Sequence, residues 1–236
     1  MKAVAIVSGG MDSSVLAYWA KNEGYELSLL SFDYGQKHRR ELIYATLLAM
    51  RLEQSHQVVD VKSIFPLLTI SNSSLISNAS VPEGHYSQAS MAQTVVPNRN
   101  SIMLSIAYGH AVAIGAIRVF FGAHWGDAAQ YPDCRADFVN ELDAALLLGN
   151  EGFRKEDLHI EAPFVNWSKT DIAKLGKKLE VPFSLTWSCY KGGEKHCGRC
   201  GTCVERLEAL NGAEVNDDTE YEDKEFWKKA VESFQK

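Results

Sequence analysis

The chain has no apolar run long enough to span a membrane. Its longest, residues 101–117, is broken by Gly109, His110 and Gly115. It falls short of the roughly 20 residues a bilayer demands and reads as a buried helix. Positive charge is scarce too: 24 Lys and Arg stand against 30 Asp and Glu, a net charge of -6. Proteins that grip long nucleic acid cluster Lys and Arg, so that role is disfavoured, whereas a nucleotide or nucleobase ligand is not. A disulfide framework is also missing. Four of the 5 cysteines fall between 189 and 203, and Cys134 stands apart. Such clustering reads as a metal site in a reducing compartment. The opening MKAVAIV is too short for a signal peptide and runs into a glycine loop, so a cytoplasmic protein is expected. No internal repeat is visible.

What is present is enough apolar side chain for a real core, 46% of 236 residues. The length suits one large domain with an appendage. We place an α/β domain over residues 1–185 and a small lobe with a last helix over 186–236. Residues 2–7 are almost wholly apolar, as in a strand buried on both faces of a parallel sheet. A helix over 12–22, a strand over 26–32, a helix over 36–52 and a strand over 57–61 follow. The alternation implies right-handed crossovers and a parallel sheet with helices on both faces. Residues 63–98, rich in Ser and Asn with Pro66, Pro82 and Pro97, break the rhythm. A loop of that length is usually functional or mobile. Regular structure resumes with helices over 100–115 and 133–148, strands over 118–122 and 159–163, and a helix after Ser168. An acidic stretch over 214–223 leads to a final amphipathic helix.

The string Ser8-Gly9-Gly10-Met11-Asp12-Ser13-Ser14 lies where the first strand yields to the first helix. Gly9 and Gly10 allow tight turns and close approach of a ligand. Free N–H groups and the dipole at a helix start favour phosphate. The Gly-Lys-Ser/Thr ending of a Walker A loop is lacking, which argues against ordinary γ-phosphate hydrolysis. Asp12 suits placement of Mg²⁺ or orientation of loop amides. The plainer reading is a glycine turn with Asp12 as helix cap. Further on, Cys189, Cys197, Cys200 and Cys203 can enclose Zn²⁺ tetrahedrally with no open position. Two disulfides, a redox pair or an iron–sulfur cluster are the alternatives.

The first string resembles the PP-loop, SGGxDS, of the ATP-pyrophosphatases, and Lys169 matches the late lysine that several of them place near the phosphates. Three further strings narrow the resemblance: Asp33-Tyr34-Gly35-Gln36, Val96-Pro97-Asn98-Arg99-Asn100 and Tyr131-Pro132-Asp133-Cys134-Arg135. Together, in order from residue 2 to about 210, these are similar to the 7-cyano-7-deazaguanine synthases, the QueC family. The resemblance implies a Rossmann-like nucleotide fold with a zinc lobe, and a homodimer. It also implies ATP-dependent conversion of 7-carboxy-7-deazaguanine and ammonia to the nitrile, through adenylate and amide intermediates. Val7, Ser8, Gly9, Gly10, Met11, Asp12, Ser13, Ser14, Val15, Leu16 and Ala17 would frame ATP, with Phe32, Asp33 and Tyr34 on the adenine side. Asp12, Ser13 and Lys169 would serve the chemistry. Arg99 and Arg135 would meet the substrate carboxylate or phosphates, and Asp133 the guanine-like edge. Cys134 is left out of the chemistry. The segment 122–127, with His124 and Asp127, departs from the Asn-containing version associated with the family. Alternatives are transfer of a related deazapurine to nucleic acid or protein, a tRNA-modifying PP-loop enzyme, an amidotransferase, and a non-catalytic zinc module.

Overall fold

Both faces of β1 (Lys2–Ile6) are covered, which is why it carries almost no polar residue. In the computed structural model, which describes residues 1–36, 39–68, 73–75 and 80–234, β1 is the central strand of five. The others are β2 (Glu26–Asp33), β3 (Ser55–Asp60), β4 (Arg118–Phe120) and β5 (His159–Glu161), all parallel, in the order β3-β2-β1-β4-β5.

The pleat sends alternate residues of β1 into two cores. Ala3, Ala5 and Val7 pack with Val15 and Leu16 of α1 (Met11–Asn22) and with Ala45 and Leu48 of α2 (Arg40–Leu52). Val4 turns the other way, against Leu104 and Tyr108 of α3 (Arg99–Ile114) and Val139 of α4 (Ala136–Gly149). The first core also takes Ile172 of α5 (Lys169–Lys178) and Leu210 of α6 (Gly201–Gly212). A last helix, α7 (Phe226–Phe234), follows.

The register aligns Ala5 with both Leu29 and Phe120, so the loops after β1, β2 and β4 emerge at one edge. The strand order reverses between β1 and β4, which opens a crevice there.

Two helix starts and one whole helix stand out against expectation. The second helix begins at Arg40 rather than residue 36, because the Gln36 amide turns back on the strand end. Its Nε2 donates to Phe32 O at 3.1 Å and its Oε1 accepts from Tyr34 N at 2.9 Å. The helix expected from 133 starts at Ala136, after a 3₁₀ turn over Pro132–Cys134. Helix α6 was not anticipated, since the lobe reads in sequence as turns around cysteines.

Arg206 of α6 is fully buried. It donates to Phe183 O (2.7 Å), Thr186 Oγ1 (2.6 Å) and Tyr221 OH (2.9 Å), and pairs with Asp217 at 3.3 Å. Burial alone would raise the Asp217 carboxyl. Arg206 and hydrogen bonds from Thr219 and Tyr221 outweigh burial and hold it at about 2. A depressed carboxylate stabilises the fold above its unfolded value of 3.8, and that contribution is lost as pH falls through about 2. It amounts to ~2 kcal/mol. Asp217→Asn also strands a buried guanidinium, so it should cost about 3–5 kcal/mol at pH 7 in denaturant titration. A cost under ~1 kcal/mol, the range of exposed pairs, would refute this account.

Candidate active site

The glycine loop is built by backbone geometry. Gly9 has φ +80°, and a Cβ there would lie 2.2 Å from Glu41 O and 2.7 Å from Ala45 N of α2. No side chain fits. Gly9 O accepts the Trp187 amide at 2.8 Å, which ties the loop to the cysteine lobe. Ser13 Oγ donates to Gly10 O and accepts from Ser8 N, each at 3.2 Å. Gly10 is the helix N-cap and has no side-chain cap. Asp12 is therefore not the cap of α1. The first-turn amides of α1 face the crevice without carbonyl partners inside the helix.

A cavity of about 270 Å³ occupies the crevice. Val7, Ser8, Gly10, Met11, Asp12, Ser13, Phe32, Tyr34, Arg99 and Lys169 line it. Val15, Leu16 and Ala17, expected to frame the nucleotide, lie beneath in the apolar core with no exposure. Gly9 packs on α2, and Ser14 is buried away from the cavity. Asp33 pairs with Arg39 and, at 3.4 Å, with Lys62.

Two residues of the Tyr131–Arg135 string have other work. Asp133 Oδ2 accepts the Asn100 amide at 3.1 Å, at the start of α3, and does not line the cavity. Arg135 is exposed and donates to Ala128 O at 3.0 Å. Neither is among the residues that line this cavity. Arg99, the residue before Asn100, does line the cavity, its guanidinium 5.7 Å from the Tyr131 ring centroid. Tyr34, Tyr131 and Tyr190 line the same end, and burial raises all three phenols, so they stay protonated donors. Burial also raises the Cys134 thiol, whose sulfur accepts from Asn100 Nδ2 at 3.2 Å. A protonated thiol is a poor nucleophile.

At the loop end, Lys169 Nζ lies 3.1 Å from Asp12 Oδ2 and 2.6 Å from Glu205 Oε2. Burial works to discharge this lysine, but Asp12, Glu205 and Asp127 outweigh it and keep it an ammonium. Asp12 Oδ1 is buried without a hydrogen-bond partner. Lys169 reaches this place because Ser168 and Asp171 form a capping box that starts α5 there.

Glu205 was missed in the sequence. Its signal was modest: an acid two residues past Cys203 in what proves to be α6. Tyr86, Met91 and Thr94, from the long loop, and Trp187, Ser188, Tyr190 and Thr202, from the lobe, were missed as well. The 186–236 segment therefore supplies a wall of the site. Glu83 helps hold the loop there, paired with Arg199 at 3.0 Å and with Lys191.

The thiol sulfurs of Cys189, Cys197, Cys200 and Cys203 lie within 4.8 Å of one another, all buried. The Cys197–Cys203 separation of 3.9 Å matches the edge of about 3.8 Å for a tetrahedron with 2.3 Å metal–sulfur bonds. Amides of Cys197, Arg199 and Cys200 donate to the sulfurs at 3.3–3.4 Å, as outer contacts of a thiolate site do. His196 stays outside the shell, its Nε2 accepting the Ser188 amide at 3.0 Å.

A parallel sheet with a Walker-free glycine loop at its switch point, faced by a lysine and acids, defines an α/β enzyme of the PP-loop class. In fold the chain is similar to the NMN synthetase of Francisella tularensis, with a TM-score of 0.50 and 16% identity over 99% of this chain and 86% of that one. The family described as "Queuosine biosynthesis protein QueC" matches residues 2–214. The chain is 48% identical to the 7-cyano-7-deazaguanine synthase 1 of Mesorhizobium japonicum over 99% of both chains. It is 50% identical to the 7-cyano-7-deazaguanine synthase of Caldicellulosiruptor saccharolyticus over 94% of this chain and 96% of that one. The chain belongs to the QueC family.

Proposed function

We propose that this enzyme uses ATP to convert 7-carboxy-7-deazaguanine and ammonia to 7-cyano-7-deazaguanine in queuosine biosynthesis. The observation that carries the reading is one cavity with a phosphate end at Ser8–Ser13 and Lys169 and a second cation, Arg99, among aromatic side chains. A carboxylate is a poor electrophile. Transfer of the nucleotide to it creates a leaving group, ammonia then gives an amide, and a second activation of the amide oxygen allows loss of water to the nitrile.

In this reading the first-turn amides of α1 and Ser13 hold the phosphates. Lys169 leaves its acids to follow charge as it develops at the leaving phosphate. Arg99 holds the deazapurine by acceptor atoms at its carboxylate edge, for which a planar fork of donors is suited. Phe32 and Tyr34 flank the adenine.

The unpartnered Asp12 Oδ1 suits Mg²⁺, which takes carboxylate and phosphate oxygens. When bound, the ion neutralises phosphate charge. The four thiols suit Zn²⁺ as a closed structural site. We further read the protein as a cytoplasmic homodimer acting on a small molecule rather than on nucleic acid.

Purified protein with ATP, free ammonium and 7-carboxy-7-deazaguanine should yield the nitrile by mass spectrometry without glutamine or a partner protein. Absence of the nitrile under these conditions, or an absolute need for glutamine, would overturn the corresponding part of the reading.

A further inference from the structure

One wall of a cavity that suits a polyanion carries three carboxylates. Asp12, Asp127 and Glu205 all line it, and among the described residues Lys169 is the cation that pairs with Asp12 and Glu205. The wall has negative charge to spare for a cation.

The side chain behind that wall is His124, 1% exposed. The Gly126 amide donates to its Nδ1 at 3.0 Å. An amide can only donate, so Nδ1 keeps its lone pair and the neutral ring holds its hydrogen on Nε2. Nε2 aims between Asp127 Oδ2 at 3.5 Å and Glu205 Oε1 at 3.7 Å, and hydrogen-bonds neither. Gly126 makes the arrangement possible. A Cβ there would lie 2.8 Å from His124 Cε1 and 3.1 Å from Glu205 Oε1.

Resting on the nitrile-forming reaction above, we propose that Asp127 and Glu205, positioned by His124, bind the ammonium ion that supplies the nitrogen. Ammonium carries four N–H donors and can give one to each carboxylate. Drawing the two acids around a shared cation brings an oxygen into reach of the waiting Nε2–H. A transition metal would need a bare ring nitrogen, and this tautomer offers none toward the acids. Mg²⁺ demands near-octahedral oxygens at about 2.0–2.1 Å, for which Asp12 beside the phosphates is better placed.

Burial raises the Asp127 carboxyl, offset in part by His124 and Lys169, which favours its accepting a proton. Ammonium gives that proton to Asp127. The freed lone pair forms the C–N bond to the activated carboxyl carbon. The C–O bond to the nucleotide breaks, and the nucleotide leaves with that electron pair. The surplus proton on the new nitrogen passes to water. His124 touches no reacting atom in this scheme and is a positioning residue.

The test uses the full chain with its metal. Asp127→Asn should raise the KM for ammonium at least ten-fold and leave the KM values for ATP and 7-carboxy-7-deazaguanine within two-fold. Carboxylate-dependent exchange of labelled pyrophosphate into ATP, which needs no nitrogen, should persist. An unchanged ammonium KM overturns the proposal. Loss of exchange in step with turnover also overturns it, because Asp127 would then serve the nucleotide. If Asp127→Asn fails to fold by circular dichroism, Asp127→Ser, whose hydroxyl can still accept the His124 amide, is read by the same two criteria. Wild-type protein that makes no nitrile overturns the reaction, and the ammonium site with it.

Discussion

Cys203→Ser is expected to empty the cysteine site of metal and abolish nitrile formation. Cys203 is the third residue of α6, and the same turn carries Glu205 toward the cavity and Arg206 into its buried network. A hydroxyl in place of one thiolate leaves three sulfur ligands for an ion whose binding contributes on the order of 10 kcal/mol to local folding. Loss of the ion frees α6, and with it the partner of Lys169. Elemental analysis should give about one zinc per wild-type chain and none in the variant. Wild-type turnover in a metal-free variant would show that the lobe is not part of the site. Iron in the wild-type protein would change the metal and leave the argument for the lobe standing.

Asp12→Ala is expected to lower turnover about 10² to 10³-fold, the loss typical of one preorganised electrostatic contact. The fold should tolerate it. Gly10 caps α1 without a side-chain contact, so removal of Asp12 takes away no cap. It does remove a carboxylate whose inner oxygen is unpartnered and whose outer oxygen lies 3.1 Å from Lys169. A stability change beyond ~1 kcal/mol with near-normal turnover would be the signature of a helix cap and would sink the catalytic reading.

The sequence made the sheet legible because β1 and β2 are rich in apolar residues and the helix between them, α1, runs from the glycine loop almost to Gly24. It also made legible the loop at 8–14 and the cysteine quartet, each being a local pattern of residue types. Glu205 was not legible, because its importance comes from Lys169, 36 positions away in the chain. Tyr86, Met91 and Thr94 sit in a segment with no periodicity, and distant contacts place them: Tyr86 and Met91 lie against Gly201 of the lobe, and Thr94 Oγ1 is hydrogen-bonded to Tyr131 OH. Arg135 and Asp133 show the opposite case. Their motif suggested ligand contact, but the 3₁₀ turn at Pro132–Cys134 directs Asp133 to the Asn100 amide and leaves Arg135 in solvent. Nothing local in the sequence marks Arg206 as buried, because its burial depends on Asp217, Thr219 and Tyr221 from beyond α6.

The hydrogen bond from the Trp187 amide to Gly9 O has a consequence for synthesis in the cell. The residue that fastens the glycine loop is made 187 − 9 = 178 positions after it. At roughly 5–20 residues per second, a nascent chain carries its glycine loop unfastened for about ten seconds or more. Premature termination between α5 and the lobe would release the five-stranded sheet with its glycine loop unfastened and no Glu205 to hold Lys169. Fastening of the loop thus waits on translation of the lobe.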